Sequence, residues 1–504
     1  MEIEAKFAVS SDAAAWLRRH PLLAHYRLRG PRSRWVESEY HDTPGLDLLR
    51  QGLELRLRRD GIRHVQTLKA VQSPSGSLHR RQEWECPLRG PALDIEALAA
   101  LLPSHAAATA RLLHAYAAGG ELEPRVRTRF HRTTWPLRSA RGDEVELALD
   151  QGEVRAGGQR LELCELELEL KSGQVSALFE LAGALHAGLP LRPETRGKAE
   201  RGFALLAGER ALPRHAPKVH IDRAASPAAA LGAMVEECLA QVQANAAGVV
   251  DSDDPEFVHQ MRVGLRRLRS ALALFKEFAS PAEVVMEGMR WSAAQLGCAR
   301  DAEVLAQETL ARIPSPQTLA SEWRGLQEAA AAAATHARRL AAEAVGTPRH
   351  VAWQLALMAW VTSLMEANAN EAQAPSHTST RASLADLAQR KLRRLRKRLR
   401  ARGEGLKGAD AQARHRLRIA VKKLRYATEM LGGAPGRLRP LIALQDQLGL
   451  LNDAEVTGPL LTRIAAETPA LASSAHYAQG WLAGEAERRL RALWPLWQRA
   501  RREL

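Results

Sequence analysis

The 504-residue chain exceeds the length at which one hydrophobic core stops growing, so at least two domains are expected. Hydrophobic residues at 46% and charged residues at 26% exclude a collagen-like or largely disordered chain, while four scattered cysteines without a C-x-x-C pair (Cys86, Cys164, Cys238 and Cys298) exclude a disulfide framework or zinc knuckle and fit a reducing compartment. The net charge of +15 is uneven: residues 1–205 hold 30 Lys and Arg against 27 Asp and Glu, and the remainder 42 against 30, which marks the second half as the polyanion binder.

The chain opens on Glu2-Ile3-Glu4 without a basic segment and apolar run, so a soluble cytoplasmic protein without a secretory leader is expected. Residues 1–205 then show period-two alternation, as in Leu53-Glu54-Leu55-Arg56-Leu57-Arg58 and from Leu161 to Lys171, broken by Gly and Pro. This predicts mainly antiparallel β-structure. Residues two apart share a strand face, which groups Glu2, Glu4 and Lys6; Glu54, Arg56 and Arg58; and Glu165, Glu167, Glu169 and Lys171, with leucines opposite. Rows of carboxylates hold hard divalent cations and interspersed Arg and Lys clamp phosphate, so the mixture suits a metal–phosphate complex. Alternation by itself also describes an open sheet with one solvated charged face, and strand order is not visible at this level.

Pro213, Pro217 and Pro227 mark a linker over residues 206–225. From 226 to 504, Ala, Leu, Arg and Glu at helical spacing, with an alanine run at 329–334, predict an all-α domain. The apolar stretch from Val351 to Met365, bounded by His350 and Glu366, is too short to span a bilayer and predicts a buried helix.

The helical half repeats itself. His259-Gln-Met-Arg262-Val-Gly-Leu-Arg266-Arg267-Leu268-Arg269 matches His415-Arg-Leu-Arg418-Ile-Ala-Val-Lys422-Lys423-Leu424-Arg425 at an offset of 156. Each copy precedes a second element, Leu296-Gly297-x-x-Arg300-Asp301 and Leu448-Gly449-x-x-Asn452-Asp453, so a pseudo-twofold bundle is expected. Steps of three and four place His259, Arg262, Arg266 and Arg269 on one helix face, and His415, Arg418, Lys422 and Arg425 on another. Like charges at these spacings repel, and keeping them twice is best explained by a bound anion. Whether the two histidines touch that anion or anchor the bundle stays open. In residues 390–398 the charges fall all round the helix, which fits a solvated helix as well as a dedicated site.

The motifs resemble two known families. Glu2-Ile-Glu4-Ala-Lys6 is similar to the ExExK signature of the CYTH, or triphosphate tunnel, superfamily. Tyr40-His-Asp-Thr-Pro44, Arg56 and Arg58, Lys69, Arg81-Gln-Glu83, Arg132, Ala148-Leu-Asp150-Gln-Gly152, Cys164-Glu-Leu-Glu-Leu-Glu-Leu170 and Lys198-Ala-Glu-Arg201-Gly202 follow that family's order. The resemblance implies an eight-stranded antiparallel β tunnel over 1–205 that hydrolyses inorganic triphosphate to diphosphate and phosphate. It implies metal ligation by Glu2, Glu4, Asp150, Glu165, Glu167 and Glu169, with Mg²⁺ as the ion and Mn²⁺ as its alternative. Phosphate binding falls to Lys6, Arg56, Arg58, Lys69, Arg81, Arg132, Lys198 and Arg201, and catalysis to Lys6 with Glu165 or Glu167. Arg127 and Arg129 cannot share a strand face with Arg132, and motif position favours Arg132 as the tunnel residue.

The repeated helices resemble the CHAD domain, over roughly 226–500. That resemblance implies binding of inorganic polyphosphate, and association with polyphosphate granules, by His259, Arg262, Arg266, Arg269, His415, Arg418, Lys422 and Arg425. Lys422, Lys423 and Asn452 stand where the first repeat has Arg266, Arg267 and Arg300, so the second grips phosphate less bidentately. The alternatives are a CYTH enzyme acting on ATP or thiamine triphosphate, or a non-catalytic polyphosphate binder. Five Tyr and seven Phe leave few stacking platforms for nucleic acid, and no membrane partner is expected.

Overall fold

The computed structural model of the chain describes residues 2–70, 76–216, 221–222, 224–373, 383–431 and 439–504. It falls into two compact units, residues 1–212 with 351–366, and residues 213–350 with 367–504.

In the first unit the alternating segments become strands β1 (Glu2–Ala8), β2 (Arg32–Asp42), β3 (Leu53–Asp60), β4 (Arg63–Ala70), β5 (Leu78–Leu88), β6 (Glu123–Arg138), β7 (Glu144–Ala156), β8 (Gln159–Ser172) and β9 (Arg192–Pro193). They lie in the order β5-β4-β3-β2-β6-β7-β8-β1, and β1 pairs again with β5 through Glu2 opposite Arg81 and Glu4 opposite His79. Eight antiparallel strands therefore close into a barrel, and β9 adds to β1 over two residues. Closure decides which way each face points: the charged rows turn inward and the leucine rows turn outward. Short helices α1 (Ser11–Leu17), α2 (Pro21–Tyr26), α3 (Asp47–Arg50), α4 (Ile95–Ala99), α5 (Ala107–Ala118) and α6 (Ser176–His186) lie outside the strands. Leu53, Leu55 and Leu68 of β3 and β4 pack there with Leu48, Leu98 and Leu113 of these helices.

Helix α7 (Lys198–Ala207) packs against β6, β7 and β8. It begins at Gly197, carries Glu200 in its first turn and stops at Gly208, whose φ of 62° is the left-handed conformation that ends helices. Gly202 lets it approach so closely, since a Cβ there would meet Val126 Cγ1 at 2.1 Å.

The second unit contains α8 (Pro227–Asp251), α9 (Pro255–Phe275), α10 (Glu283–Glu303), α11 (Leu310–Arg312), α12 (Ala320–Val345), α14 (Leu384–Glu404), α15 (Ala411–Met430), α16 (Arg439–Glu467) and α17 (Ala472–Arg502). Between α12 and α14 runs α13 (Pro348–Gln373), longer at both ends than the predicted buried helix. Its 351–366 portion belongs to the first unit, where Glu366 accepts from the Ser176 amide at 3.3 Å. The internal repeat reaches the helix caps. Asp254 accepts from Glu256 N at the start of α9, and Asp410 accepts from Ala413 N at the start of α15. α9 packs against α8, α10 and α15, and α15 also packs against α14 and α16.

Residues 209–216 carry no helix or strand, and positions 217–220 and 223 of the expected linker, Pro217 among them, lie outside the described residues. Among the described residues no helix is long and apolar enough to cross a membrane.

Candidate active site and candidate anion face

The barrel encloses a cavity of about 260 Å³ whose lining holds nine acidic and nine basic side chains. Of the residues predicted for metal and phosphate, Glu2, Glu4, Lys6, Arg56, Arg58, Lys69, Arg81, Arg132, Glu167, Glu169 and Lys198 line it. Strand register explains the mixture, because cations and carboxylates alternate across neighbouring strands: Glu2 faces Arg81, Lys6 faces Glu167, Lys69 sits between Glu54 and Glu83, and Arg132 faces Asp150.

Three predicted residues lie behind the lining. Asp150 and Glu165 are fully buried, and Arg201 bonds Glu165. Arg132 grips Asp150 with two bonds of 2.7 and 2.6 Å and reaches Glu167 at 2.5 Å. Lys198 lies 2.8 Å from Asp150 and 2.9 Å from Glu167, and also bonds Glu165. Asp150, Glu165 and Glu167 are the one set of three among the described residues whose ligand atoms lie within 4.8 Å of one another. Their centre is already held by the Lys198 ammonium, so a metal there would have to displace it. Arg132 is 17% exposed in its side chain, whereas Arg127 and Arg129 point outward at 65% and 63% and pair with Glu39 and Glu37.

The pairing dictates the proton affinities. Burial opposes charge on Lys6, but Glu167 and Glu4 hold it above its ordinary range; burial likewise opposes charge on Lys198, which Asp150, Glu165 and Glu167 also raise. Burial would raise Glu167, yet Lys198, Lys6 and Arg132 keep it well below the carboxylate range. Glu2 is likewise brought to about 2 by Lys69 and Lys6 against burial. Lys69 falls to about 8, because burial and Arg56 beside it outweigh its carboxylate partners. Glu4 moves up through burial, assisted by neighbouring Glu167 and Glu2 although Lys6 opposes. Its Oε1 is buried and accepts no hydrogen bond, at 2.9 Å from Lys6 Nζ.

No motif singles out Arg34, Asp60, Glu85 and Glu146, which also line the cavity. Each stands an even number of residues from a residue already on an inward face, and strand register alone reveals it. Glu85 accepts from Thr67 at 3.2 Å, Arg58 at 3.3 Å and Arg56 at 3.4 Å. Glu146 lies opposite Glu169.

In the second unit the two predicted stripes converge. Burial and the charges of Arg266 and Arg300 lower Arg262, with Asp301 opposing. Burial, Arg418 and Arg266 lower Lys422 to about 7. Gly297 makes room, since a Cβ there would meet Arg262 Nη1 at 2.8 Å. His415 and Arg418 are oriented by Asn452 Oδ1, at 3.3 and 2.8 Å. The Arg266 and Arg425 guanidiniums lie over the Tyr426 ring at 5.6 and 4.7 Å. Arg269 stands apart, exposed and facing Lys423 rather than the Arg262 cluster. His259 is half-buried, and burial with Arg300 lowers it.

Residues 1–203 match the family model of the CYTH domain, and residues 233–462 match that of the CHAD domain. The solved CHAD domain of Ricinus communis is 32% identical, with a TM-score of 0.51 over 57% of this chain and 96% of that one. This chain belongs to the CHAD family, and its first 203 residues match the CYTH domain. An inorganic triphosphatase of Haemophilus influenzae is 29% identical over 204 residues, 40% of this chain, which spans about half (54%) of that curated relative's length. A Hippeastrum protein described as an adenylyl cyclase with a dominant triphosphatase activity is 20% identical, with a TM-score of 0.30 over 42% of this chain and 98% of that one.

Proposed function

We propose that the CYTH domain, residues 1–205, hydrolyses inorganic triphosphate with a divalent metal, and that the CHAD domain, residues 226–504, binds inorganic polyphosphate. The observation that carries the first half is the even balance of the cavity, nine acids against nine bases. A bare polyanion gains nothing on average from a neutral lining, whereas a phosphate chain that arrives with divalent cations meets matching charges of both signs. The carboxylate set fits a hard cation. On the cavity side Glu2, Glu4 and Glu169 would hold it, since Glu4 has a buried oxygen without a hydrogen bond and faces Glu169 across the strand pair. When bound, such an ion, Mg²⁺ or Mn²⁺, would neutralise phosphate oxygens and lower the pKa of an attacking water.

The protein's own groups supply the rest. Arg56, Arg58, Lys69 and Arg81 would hold the chain in line, with Lys6, Arg132 and Lys198 at the opposite wall. Asp150 and Glu165 would keep Arg132, Lys198 and Arg201 in place from behind. Of the two predicted proton acceptors, Glu167 reaches the cavity and Glu165 does not, so Glu167 would take that role once phosphate draws Lys6, Arg132 and Lys198 away from it and its proton affinity rises. The cavity-lining apolar side chains, Val36, Tyr40, Phe130 and Ala199, provide no second chamber for a base or a thiazolium. Phosphate release from inorganic triphosphate, ATP and thiamine triphosphate, each with Mg²⁺, Mn²⁺ or chelator, tests this reading. Preference for an organic triphosphate, or release undiminished by chelator, would overturn it.

For the CHAD domain the carrying observation is the mutual approach of Arg262, Arg266, Arg418 and Lys422 on the packed helices α9 and α15, where burial and then the neighbouring cations lower Lys422 to about 7. An anion relieves that repulsion. Retention of long-chain polyphosphate by the full chain under chelator tests it, and no retention would refute it.

A further inference from the structure

Helix α14 sorts its charges by face. Leu392, Leu395 and Leu399 pack into the core shared with α15, α16 and α17, which fixes the helix's rotation. The leucine seam divides the surrounding charges into two flanks, which join at the N-terminal end, where Arg390 and Arg393 line a groove with Lys391 and Arg394. Arg393, Arg396, Lys397 and Arg400 look into an open groove of about 700 Å³. Lys391, Arg394, Arg398 and Arg402, at steps of three and four, form the other flank. Lys391 and Arg394 bond Glu277, which follows α9, and Arg402 Nη1 donates to the Arg416 carbonyl of α15 at 2.8 Å.

This second flank thus lies beside both repeated helices. Arg269 of α9 and Lys423 of α15 are exposed, and α15 packs against both α9 and α14. Burial, followed by the charges of Arg402, Arg398, Arg269 and Lys391, lowers the Lys423 ammonium, so cations of three helices converge. Among the described residues Arg269, Arg398 and Lys423 enter no ion pair. Convergent unpaired cations repel, and packing of the leucine seam prevents the helices from moving apart.

We propose that Arg269, Arg398, Arg402 and Lys423 form a second anion subsite, one helical turn beyond Arg266 and next to Lys422, that takes further phosphates of the same linear polyphosphate chain. The subsite rests on the reading of the CHAD domain as a polyphosphate binder. It turns a point contact into a track, on which each added phosphate contact releases counterions.

The test compares two triple variants of the full chain, with long-chain sodium polyphosphate as probe under chelator. Arg269→Gln, Arg398→Gln and Lys423→Gln removes the subsite but keeps Arg402, whose backbone contact braces α14. Arg393→Gln, Arg396→Gln and Arg400→Gln removes the same charge from the outer flank. The first set should reduce the slope of log affinity against log salt by about two, at about 0.7 per contact, and the second by well under one. Circular dichroism confirms that both retain helicity. Equal losses from both sets would overturn the subsite in favour of general basicity, and no loss from the first set would overturn it outright. Tighter binding of duplex DNA than of polyphosphate, with the same dependence on the subsite, would overturn the assigned ligand. If the unaltered chain fails to bind polyphosphate, the domain reading falls together with the subsite.

Discussion

Lys6 and Lys198, buried in the barrel, and Lys422, half-buried on the helical face, all lie near other cations, yet their proton affinities move in opposite directions. The first two lie 2.8 Å from Glu167 and Asp150 and are raised. The third is lowered to about 7 by burial and by Arg418 and Arg266, which Asp453 only partly opposes. Both regions are rich in Arg and Lys, so composition does not separate them. What differs for these three is whether the counter-charge is built into the fold or must arrive with the ligand; Lys69, lowered to about 8 by burial and Arg56 despite Glu2, shows that the tunnel does not raise every lysine. On the proposed reading, a tunnel with its own carboxylates would exchange partners when phosphate enters and would need a cation to do so, while the helical face would only gain one.

The largest expected effect comes from the tunnel arginines. Replacing Arg56 and Arg58 together with Ala removes two charge-assisted grips, each worth about 1.5–3 kcal/mol per hydrogen bond. Steady-state kinetics should show kcat/KM for triphosphate down by about two to four orders of magnitude, with polyphosphate retention by the CHAD domain unchanged. Native kinetics in the folded variant would show that these arginines do not hold substrate. Next comes the metal. Glu4→Gln should lower turnover at limiting Mg²⁺ by at least the roughly ten- to hundredfold that loss of a supporting partner costs. Chelator should abolish turnover and leave polyphosphate binding intact, and a parallel loss of both would erase the distinction between the two regions.

A smaller effect belongs to the helical face. Arg262, Arg266, Lys422 and Arg425 changed to Ala should lower the salt slope of polyphosphate binding by about three, at about 0.7 for each contact. A slope equal to that of the unaltered chain would place the ligand elsewhere. The smallest effect is in pH. Lys422 sits at about 7 against an ordinary 10.5, through burial and the charges of Arg418, Arg266 and Arg262, with Asp453 opposing. Above pH 7 the free face has lost this proton, and a bound phosphate must restore it. Affinity should therefore fall as pH rises above 7, by up to about tenfold per unit for one proton. Stability of the free domain runs the other way: the unfolded lysine keeps its proton up to 10.5, so stability rises between pH 7 and 10.5. Calorimetry in buffers of different ionisation enthalpy should detect the proton uptake, and Lys422→Arg should remove it.

The inward and outward strand faces were legible because their period of two survives in the sequence: parity alone separates Arg132 from Arg127 and Arg129. The helical repeat was legible from its own spacing, down to the stripes of α9 and α15 except Arg269, which turns toward Lys423. Closure was not, since β1 pairs with β5 across the 69 residues from 9 to 77 without a local signal (Glu2 opposite Arg81, Ala5 opposite Leu78). Glu146 and Arg34 joined the cavity only through register. The withdrawal of Asp150 and Glu165 behind Lys198 depends on side-chain reach from α7, which strand periodicity does not contain. On α14 the leucine seam at 392, 395 and 399 was present in the sequence, but its partners on α15 to α17 decide which charged flank meets Arg269 and Lys423.

The closure of the barrel also sets an order of assembly. Glu4 of β1 waits for Glu169 of β8 before its second neighbour exists. At ordinary synthesis rates that interval is on the order of ten seconds or more. During it Ile3, Ala5 and Phe7 form an unprotected apolar edge, which is the kind of segment through which nascent chains stick to one another. Glu2, Glu4 and Lys6, interleaved with those residues, give the waiting strand charge and solubility. The side chains assigned to the tunnel thus also protect the strand on the ribosome, and replacing all three with neutral residues would expose the newborn chain to aggregation before any activity could be measured.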